Sequence, residues 1–329
     1  MAVCFRLPYP PLPGGECMTV RTTLHIGARG SRLSLAQATI VLRLLGAAHP
    51  ELRVNIRVFS TMGDRLLDTP LSLIGGKGVF TEEIEAALLS GEIDLAVHSL
   101  KDLPVQQRDG LVIGAVPPRA DVSDVLAGRT SARLADLPHG ARVGTSSLRR
   151  AAQLKRARPD IEPVSIRGNV ETRLRKLMDP KEEYDAIVLA RAGLERLDLL
   201  DIVTEVLSLE VMLPAPGQGA LAVQCRNHAG VLTLLEPVNH PPSELATIAE
   251  RSFLAGLGGG CAAPVAAYGQ FDNGILRLRG RVLAHDGEGT IDVESDQCCS
   301  SGEEANAFGQ SLATLSIERG AAELLKATV

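Results

Sequence analysis

Tryptophan is absent from this chain of 329 residues, and aromatic side chains make up only 3% of it. Single-stranded nucleic acid is held largely by bases stacked on aromatic rings, so this scarcity argues against such a platform. The formal net charge of −5 points the same way, because neither nucleic acid nor an anionic membrane attracts an acidic protein. No apolar run approaches the roughly 20 residues that a membrane-spanning helix needs. Cysteines are few: Cys4, Cys17, Cys225, Cys261, Cys298 and Cys299. None forms a CxxC pair, and adjacent Cys298 and Cys299 are badly spaced for chelation, which argues against zinc. The first 17 residues, MAVCFRLPYPPLPGGEC, lack a charged segment followed by a sustained apolar stretch. They read as a disordered, proline-rich leader, with Met18 an alternative start. The expectation is a cytoplasmic protein with free thiols, no metal, and neither nucleic acid nor membrane as partner.

What is present is ordinary globular material. A hydrophobic content of 45% and a charged content of 22%, over this length, suffice for two or three cores. Short apolar runs alternate with helical patterns, the signature of α/β layering. Strands are predicted over 24–28, 54–59, 93–98, 141–145, 164–166, 184–190 and 220–225, the last returning to the first domain after a crossing at 213–220. Helices follow over 32–47, capped by Ser31, and from Thr81 onward. The stretch 63–78, with its glycines and proline, reads as a long mobile loop. The tail differs: a helix over 243–257 ending in glycines, alternating antiparallel strands, then a helix over 303–317. That pattern is a small α+β unit.

Charge is unevenly spread. Residues 142 to 176 hold ten basic side chains against three acidic ones, a local balance of +7 in an acidic chain. Several of these arginines fall at predicted strand-to-helix junctions, where small-molecule sites form, so a polyanionic ligand is expected. Four constellations could carry the chemistry. Arg29 and Ser31 follow a strand and open a helix, where a carboxylate or phosphate can sit; alone, a capped helix with a surface arginine explains them as well. Thr145, Ser146, Ser147, Arg149 and Arg150, with Arg167, Gly168, Asn169 and Arg173, offer hydroxyls and guanidinium forks suited to carboxylates. The competing reading has Ser146 capping the helix and the arginines paired with surface acids, but cations at a helix N-terminus oppose its dipole and call for an anion. His98, Ser99, Lys101 and Asp102 end a buried strand, where open α/β sheets bind ligands, with Asp102 a candidate acid/base or cation stabiliser. Gly256 to Cys261 surround one thiol with glycines, fitting a nucleophile or an attachment point, or simply a helix end. GGKG at 75–78 lacks the spacing and context of a phosphate loop.

Taken together, the runs ARGSRLSLAQA, GDRLLDTPLSLIGGKGVF, DLAVHSLKDLP, VGTSSLRRAAQL, SIRGNVETRL, LPAPGQGALAVQCR and GGGCAAP resemble the porphobilinogen deaminase (hydroxymethylbilane synthase) family, in its order and across roughly 25 to 270. The resemblance implies an α/β fold of two doubly wound domains like type II periplasmic binding proteins, plus a small α+β C-terminal domain. The expected division is a leader (1–20), domain 1 (21–118 with 219–238), domain 2 (119–218) and domain 3 (239–329). It implies a transferase that joins four porphobilinogen units head to tail with loss of ammonia, primed by dipyrromethane held through a thioether to Cys261, and acting as a monomer. Asp102 falls on the catalytic position. Cofactor and substrate binding falls on Arg29, Ser31, Ser99, Lys101, Thr145, Ser146, Ser147, Arg149, Arg150, Arg167, Gly168 and Arg173. Lys77 and Phe80 fall at the end of an active-site loop, and Gln218 at the domain crossing. The chemistry agrees: a growing pyrrole chain accumulates carboxylates that need fixed cations, and loss of ammonia leaves a cationic azafulvene that a carboxylate stabilises. The chain departs from the family pattern at Leu73, where many members carry lysine, and at Val122 and Ser123, where many read Asp-Pro-Arg-Asp over 121–124. An anion receptor without chemistry shares the fold and arginines but leaves Cys261 and Asp102 without a use.

Overall fold

The computed structural model describes residues 23–65, 81–130, 132–258 and 263–326. Three sheets organise it. The first contains β1 (Thr23–Arg29), β2 (Arg53–Phe59), β3 (Leu95–Ser99), β4 (Leu111–Ala115) and, far along the chain, β10 (Leu221–Arg226). Their order is β2-β1-β3-β10-β4, with β10 antiparallel to both neighbours and β1 parallel to β2 and β3. The second contains β5 (Asp124–Gly128), β6 (Arg142–Gly144), β7 (Glu162–Val164), β8 (Ala186–Ala190) and β9 (Glu205–Val206), in the order β7-β6-β8-β5-β9. Here β5 is the antiparallel member in the fourth place. The two sheets therefore repeat one plan, and each receives its antiparallel strand from a chain crossing. The third sheet is a plain antiparallel meander of β11 (Val265–Asp272), β12 (Ile275–Leu283) and β13 (Thr290–Cys298). The mixed α/β architecture with a small C-terminal sheet is the one the motifs implied.

Helices cover the sheets as hydrophobic periodicity requires. On the first sheet, α1 (Arg32–Ala48) buries Ala38, Val41 and Leu45 against Ile26, Val97 and Val223. The other face receives α3 (Glu82–Ser90), whose Ile84 and Leu88 pack on Ile93 and Ala96. Between them lies the short α2 (Met62–Arg65), so residues 63 to 65 are helical, and the rest of the expected 63–78 loop falls outside the described residues. The second sheet carries α4 (Leu148–Ala157), α5 (Val170–Met178) and α6 (Arg191–Arg196), and α7 (Ala229–Leu235) follows β10. The third sheet packs on α8 (Pro241–Gly256), α9 (Gly302–Glu318) and α10 (Ala321–Lys326) around Phe253, Leu276, Leu278 and Phe308.

The structure departs from the competing reading of α4 and from one expected strand end. Ser147, not Ser146, caps α4: its hydroxyl accepts from the Arg150 amide at 3.4 Å. The Ser146 hydroxyl instead donates to the Ile166 carbonyl at 2.7 Å and meets the Ser165 hydroxyl at 3.0 Å. The strand expected over 164–166 ends at Val164: beyond it the Ser165 carbonyl accepts from the Tyr184 hydroxyl at 3.0 Å and the Ile166 carbonyl from Ser146, side chains taking the place of a ladder.

Candidate functional site

The strand β3 runs through the buried centre of the first sheet and ends at Ser99, whose hydroxyl accepts from the Gln37 amide at 2.7 Å. The next three residues, Leu100–Asp102, form one turn of 3₁₀ helix. Leu100 is buried and its N–H donates to the Ala220 carbonyl at 3.1 Å, which pins the turn to the second crossing and leaves Asp102 exposed. Gly217 makes that approach possible: with φ +77, a Cβ there would stand 3.1 Å from Leu100 and 3.2 Å from the Lys101 nitrogen. The Lys101 ammonium donates to Gln218 Oε1 at 3.2 Å.

Gln218 is wholly buried and reaches into the second sheet. Its Nε2 donates to the Val122 carbonyl at 2.8 Å and to Asp124 Oδ1 at 3.0 Å. That same Oδ1 accepts from Arg150 Nε (3.1 Å) and Nη2 (2.6 Å), while Oδ2 pairs with Arg149 Nη1 at 2.8 Å. Arg149 and Arg150 are themselves buried. Their counter-ion is thus an internal carboxylate, not the surface acids of the competing reading. Burial alone would raise the Asp124 carboxyl, but Arg149, Arg150 and Lys101 hold it well below the usual carboxylate range.

Further along, Gly168 takes φ +114, a conformation that leaves its carbonyl to accept from Arg173 Nε at 2.8 Å. Asn169 caps α5 through the Thr172 amide at 2.9 Å. Burial first, then Arg150 and Arg167, lower the Arg173 guanidinium to about 10, while Asp102 works against them. Lys101 falls to about 8 through burial, then Arg150 and Arg149, opposed by Asp102 and Asp124. Asp102, Lys101, Arg149, Arg150, Arg167 and Arg173 therefore feel one another across the cleft between the two sheets. Arg29 joins this neighbourhood from β1, where its charge bears on His98. Ser31 caps α1 through the Ser34 amide at 3.2 Å. The α1 end meets the α5 end in an Arg32–Glu171 pair at 3.3 Å. Thr145 is buried, its hydroxyl accepting from the Ser147 amide at 3.1 Å. Cys261, Lys77 and Phe80 lie outside the described residues.

Several other members of the basic island have partners of their own. Arg158 pairs with Asp160 at 2.7 Å and donates to the Leu134 and Leu137 carbonyls. Arg142 pairs with Glu183, Arg175 donates to the Thr172 hydroxyl, and Lys155 donates to the Pro159 carbonyl. The donor set that remains fits a polycarboxylate such as dipyrromethane. Arg149 Nε is buried without a partner among the described residues, and the Arg173 Nη groups carry no hydrogen bond among them. Among the described residues no cluster of His, Cys, Asp and Glu could hold a metal ion, and no helix is long and apolar enough to cross a membrane. The role of Asp124 was missed in the sequence, where a lone acid opening a buried strand was the available signal.

Fold and site define an α/β protein in which cations of the two larger sheets gather near one exposed carboxylate, an arrangement suited to carboxylate-rich small molecules. The chain matches two family models: "Porphobilinogen deaminase, dipyromethane cofactor binding domain" over residues 24–233 and "Porphobilinogen deaminase, C-terminal domain" over residues 245–317. It is 48% identical over 303 residues to the porphobilinogen deaminase of Syntrophomonas wolfei, covering 92% of this chain and 97% of that one. To that of Roseiflexus castenholzii it is 46% identical over 309 residues, covering 93% and 99%. The chain belongs to the porphobilinogen deaminase family, enzymes of tetrapyrrole synthesis that bind a dipyrromethane cofactor. Solved structures of related shape include the methionine binding protein MetQ (13% identical, TM-score 0.42, covering 66% of this chain and 90% of that one). Another is the aliphatic sulphonate binding protein SsuA from Escherichia coli (16% identical, TM-score 0.40, covering 92% and 91%).

Proposed function

We propose that this chain acts as a hydroxymethylbilane synthase, a cytoplasmic monomeric transferase working at the cleft between its two larger sheets, with domains divided as read from the sequence. The reaction breaks the aminomethyl C–N bond of porphobilinogen, releases ammonia, joins the methylene carbon to a pyrrole carbon, and removes the proton from that carbon; four such additions give the linear tetrapyrrole. Dipyrromethane, when bound, supplies the pyrrole carbon that accepts the first unit. Cys261 is assigned its thioether attachment. Asp102 faces the pyrrole N–H, stabilises the cation left by ammonia, and takes part in proton transfer. Arg167, Arg173, Lys101 and Arg29 hold acetate and propionate groups, helped by Arg149, Arg150, Gly168, Gln218 and the hydroxyls of Ser31, Ser99, Thr145, Ser146 and Ser147. Lys77 and Phe80, outside the described residues, are assigned to cofactor and substrate binding by their place in the family motif.

The observation that carries this reading is the meeting of one exposed carboxylate, Asp102, with cations from both sheets. Replacing Asp102 with Ala is expected to leave the folded state and its thermal midpoint intact and to abolish nearly all turnover of porphobilinogen; wild-type turnover in that variant refutes the assignment. Intact mass and peptide mapping should find a dipyrrole on Cys261, and an unmodified Cys261 thiol in fully active protein refutes the attachment.

A further inference from the structure

Asp124 carries no binding role in the reading above, yet it occupies a commanding place. It opens β5, the antiparallel strand of the second sheet, and is wholly buried. A buried carboxylate is tolerated when opposite charge is paired with it. Here Oδ1 accepts three hydrogen bonds, two from Arg150 and one from Gln218, and Oδ2 is ion-paired with Arg149 at 2.8 Å. One negative charge thus faces two guanidiniums, with the Lys101 ammonium of the first sheet close by as a third cation.

The amide of Gln218 stands between them, and it can face only one way. The Val122 carbonyl and the Asp124 carboxylate can accept but not donate, so the Gln218 Nε2 must point at them. Its Oε1 is then left to face Lys101, whose ammonium can only donate. Turned over, the amide would set donor against donor at Lys101 and acceptor against acceptor at Asp124. The carboxylate therefore fixes the orientation of a neutral side chain that in turn fixes a lysine belonging to another sheet.

We propose that Asp124 is a positioning residue of the cleft: through Gln218 it orients the acceptor that holds Lys101, and it sets a negative charge opposite two buried arginines beside that ammonium. The groups that face Lys101 are Asp102 on its own turn, Asp124 on β5, and Arg149 and Arg150 on α4. Burial and the two arginines lower the ammonium to about 8, while Asp102 and Asp124 act to raise it. Losing either carboxylate lowers the Lys101 ammonium further. The value of that charge for holding substrate carboxylates rests on the function proposed above; the effect of Asp124 on Lys101 does not.

The test separates the two. With the full chain labelled with [ε-¹³C]lysine, the Lys101 signal is identified by its loss in Lys101→Met, and its titration is followed by NMR. The wild-type midpoint is expected near 8. In Asp124→Asn the midpoint should fall by about one pH unit or more, the effect of removing an opposite charge at close range. In Gln218→Met, which leaves the Asp124 pairs with Arg149 and Arg150 in place, it should fall by less. An unchanged Lys101 midpoint in folded Asp124→Asn overturns the proposal. Should that variant fail to fold, an unchanged midpoint in Gln218→Met overturns it instead. The alkaline limb of kcat/KM for porphobilinogen should move with the NMR midpoint. A moved midpoint with an unmoved limb upholds Asp124 and removes Lys101 from carboxylate binding.

Discussion

Glu250 lies fully buried on α8 and is surrounded by donors. Its Oε1 accepts from Arg119 Nη1 and from the Gly269 amide, both at 2.6 Å; its Oε2 accepts from Arg119 Nη2 at 3.0 Å and from the Gly217 amide at 2.6 Å. One side chain thereby ties the first crossing, the second crossing and β11 together. An amide in its place would set an NH₂ against N–H donors, and breaking a buried pair costs about 3–5 kcal/mol. Glu250→Gln should therefore lose about that much stability in urea unfolding, and a loss below ~1 kcal/mol contradicts this account. His98, buried behind Arg29, gives a second prediction. Burial lowers it to about 4, while Gln224 pulls upward and Arg29 downward. The unfolded chain then binds more protons than the folded one between roughly pH 6.5 and 4, so stability falls as pH drops through that window. At about 1.4 kcal/mol per pH unit the full effect is on the order of 3 kcal/mol, and His98→Gln should flatten the urea midpoint across it. Residues such as Asp102 and Arg173 were legible because they lie in short motifs of fixed spacing. Glu250 and Asp124 were not, because their partners lie up to 131 and 94 positions away and only folding brings them together.

At the scale of elements, periodicity carries most of the reading. The helices expected over 32–47, 243–257 and 303–317 form at Arg32–Ala48, Pro241–Gly256 and Gly302–Glu318, because apolar stripes of helical period must find a sheet to cover. Ends are less legible, since they depend on which of several hydroxyls captures a free amide; Ser146 and Ser147 are equally good caps by composition, and Ser146 is drawn away by Ile166. The short α10 has too few residues to show a period. Close helix packing also hides in the sequence. Gly309 of α9 sits where a Cβ would stand 2.3 Å from the Ala249 carbonyl oxygen and 2.7 Å from Ser252 Cβ on α8. Backbone cannot yield there as a flexible side chain would, so Gly309→Ala must push α9 off α8. Overpacking of this kind costs about 1–3 kcal/mol, which thermal unfolding by circular dichroism should show, with the cleft chemistry little changed.

The whole molecule sets an acidic exterior against a cationic cleft. The chain carries −5 overall, yet its arginines and Lys101 meet between the two larger sheets, where burial lowers both Lys101 and Arg173 by desolvation. Such a cleft focuses its field while the surrounding surface repels anions, so attraction of a dicarboxylate substrate acts over short range and is weakened by salt. Stability should respond far less, because the ion pairs that hold the fold, Arg149 and Arg150 with Asp124 and Arg119 with Glu250, are buried and poorly screened. The expected result is a KM for porphobilinogen that rises several-fold between roughly 0.02 and 0.5 M salt, a range that shortens the screening length from about 20 Å to about 4 Å, while the melting temperature barely moves. Arg167, half-buried at the cleft and without an internal carboxylate partner among the described residues, should supply part of that dependence. Arg167→Gln should raise KM at low salt and flatten its rise with salt. A KM indifferent to salt in the wild type would mean that shape and hydrogen bonding, rather than the field of the cleft, bring the substrate in.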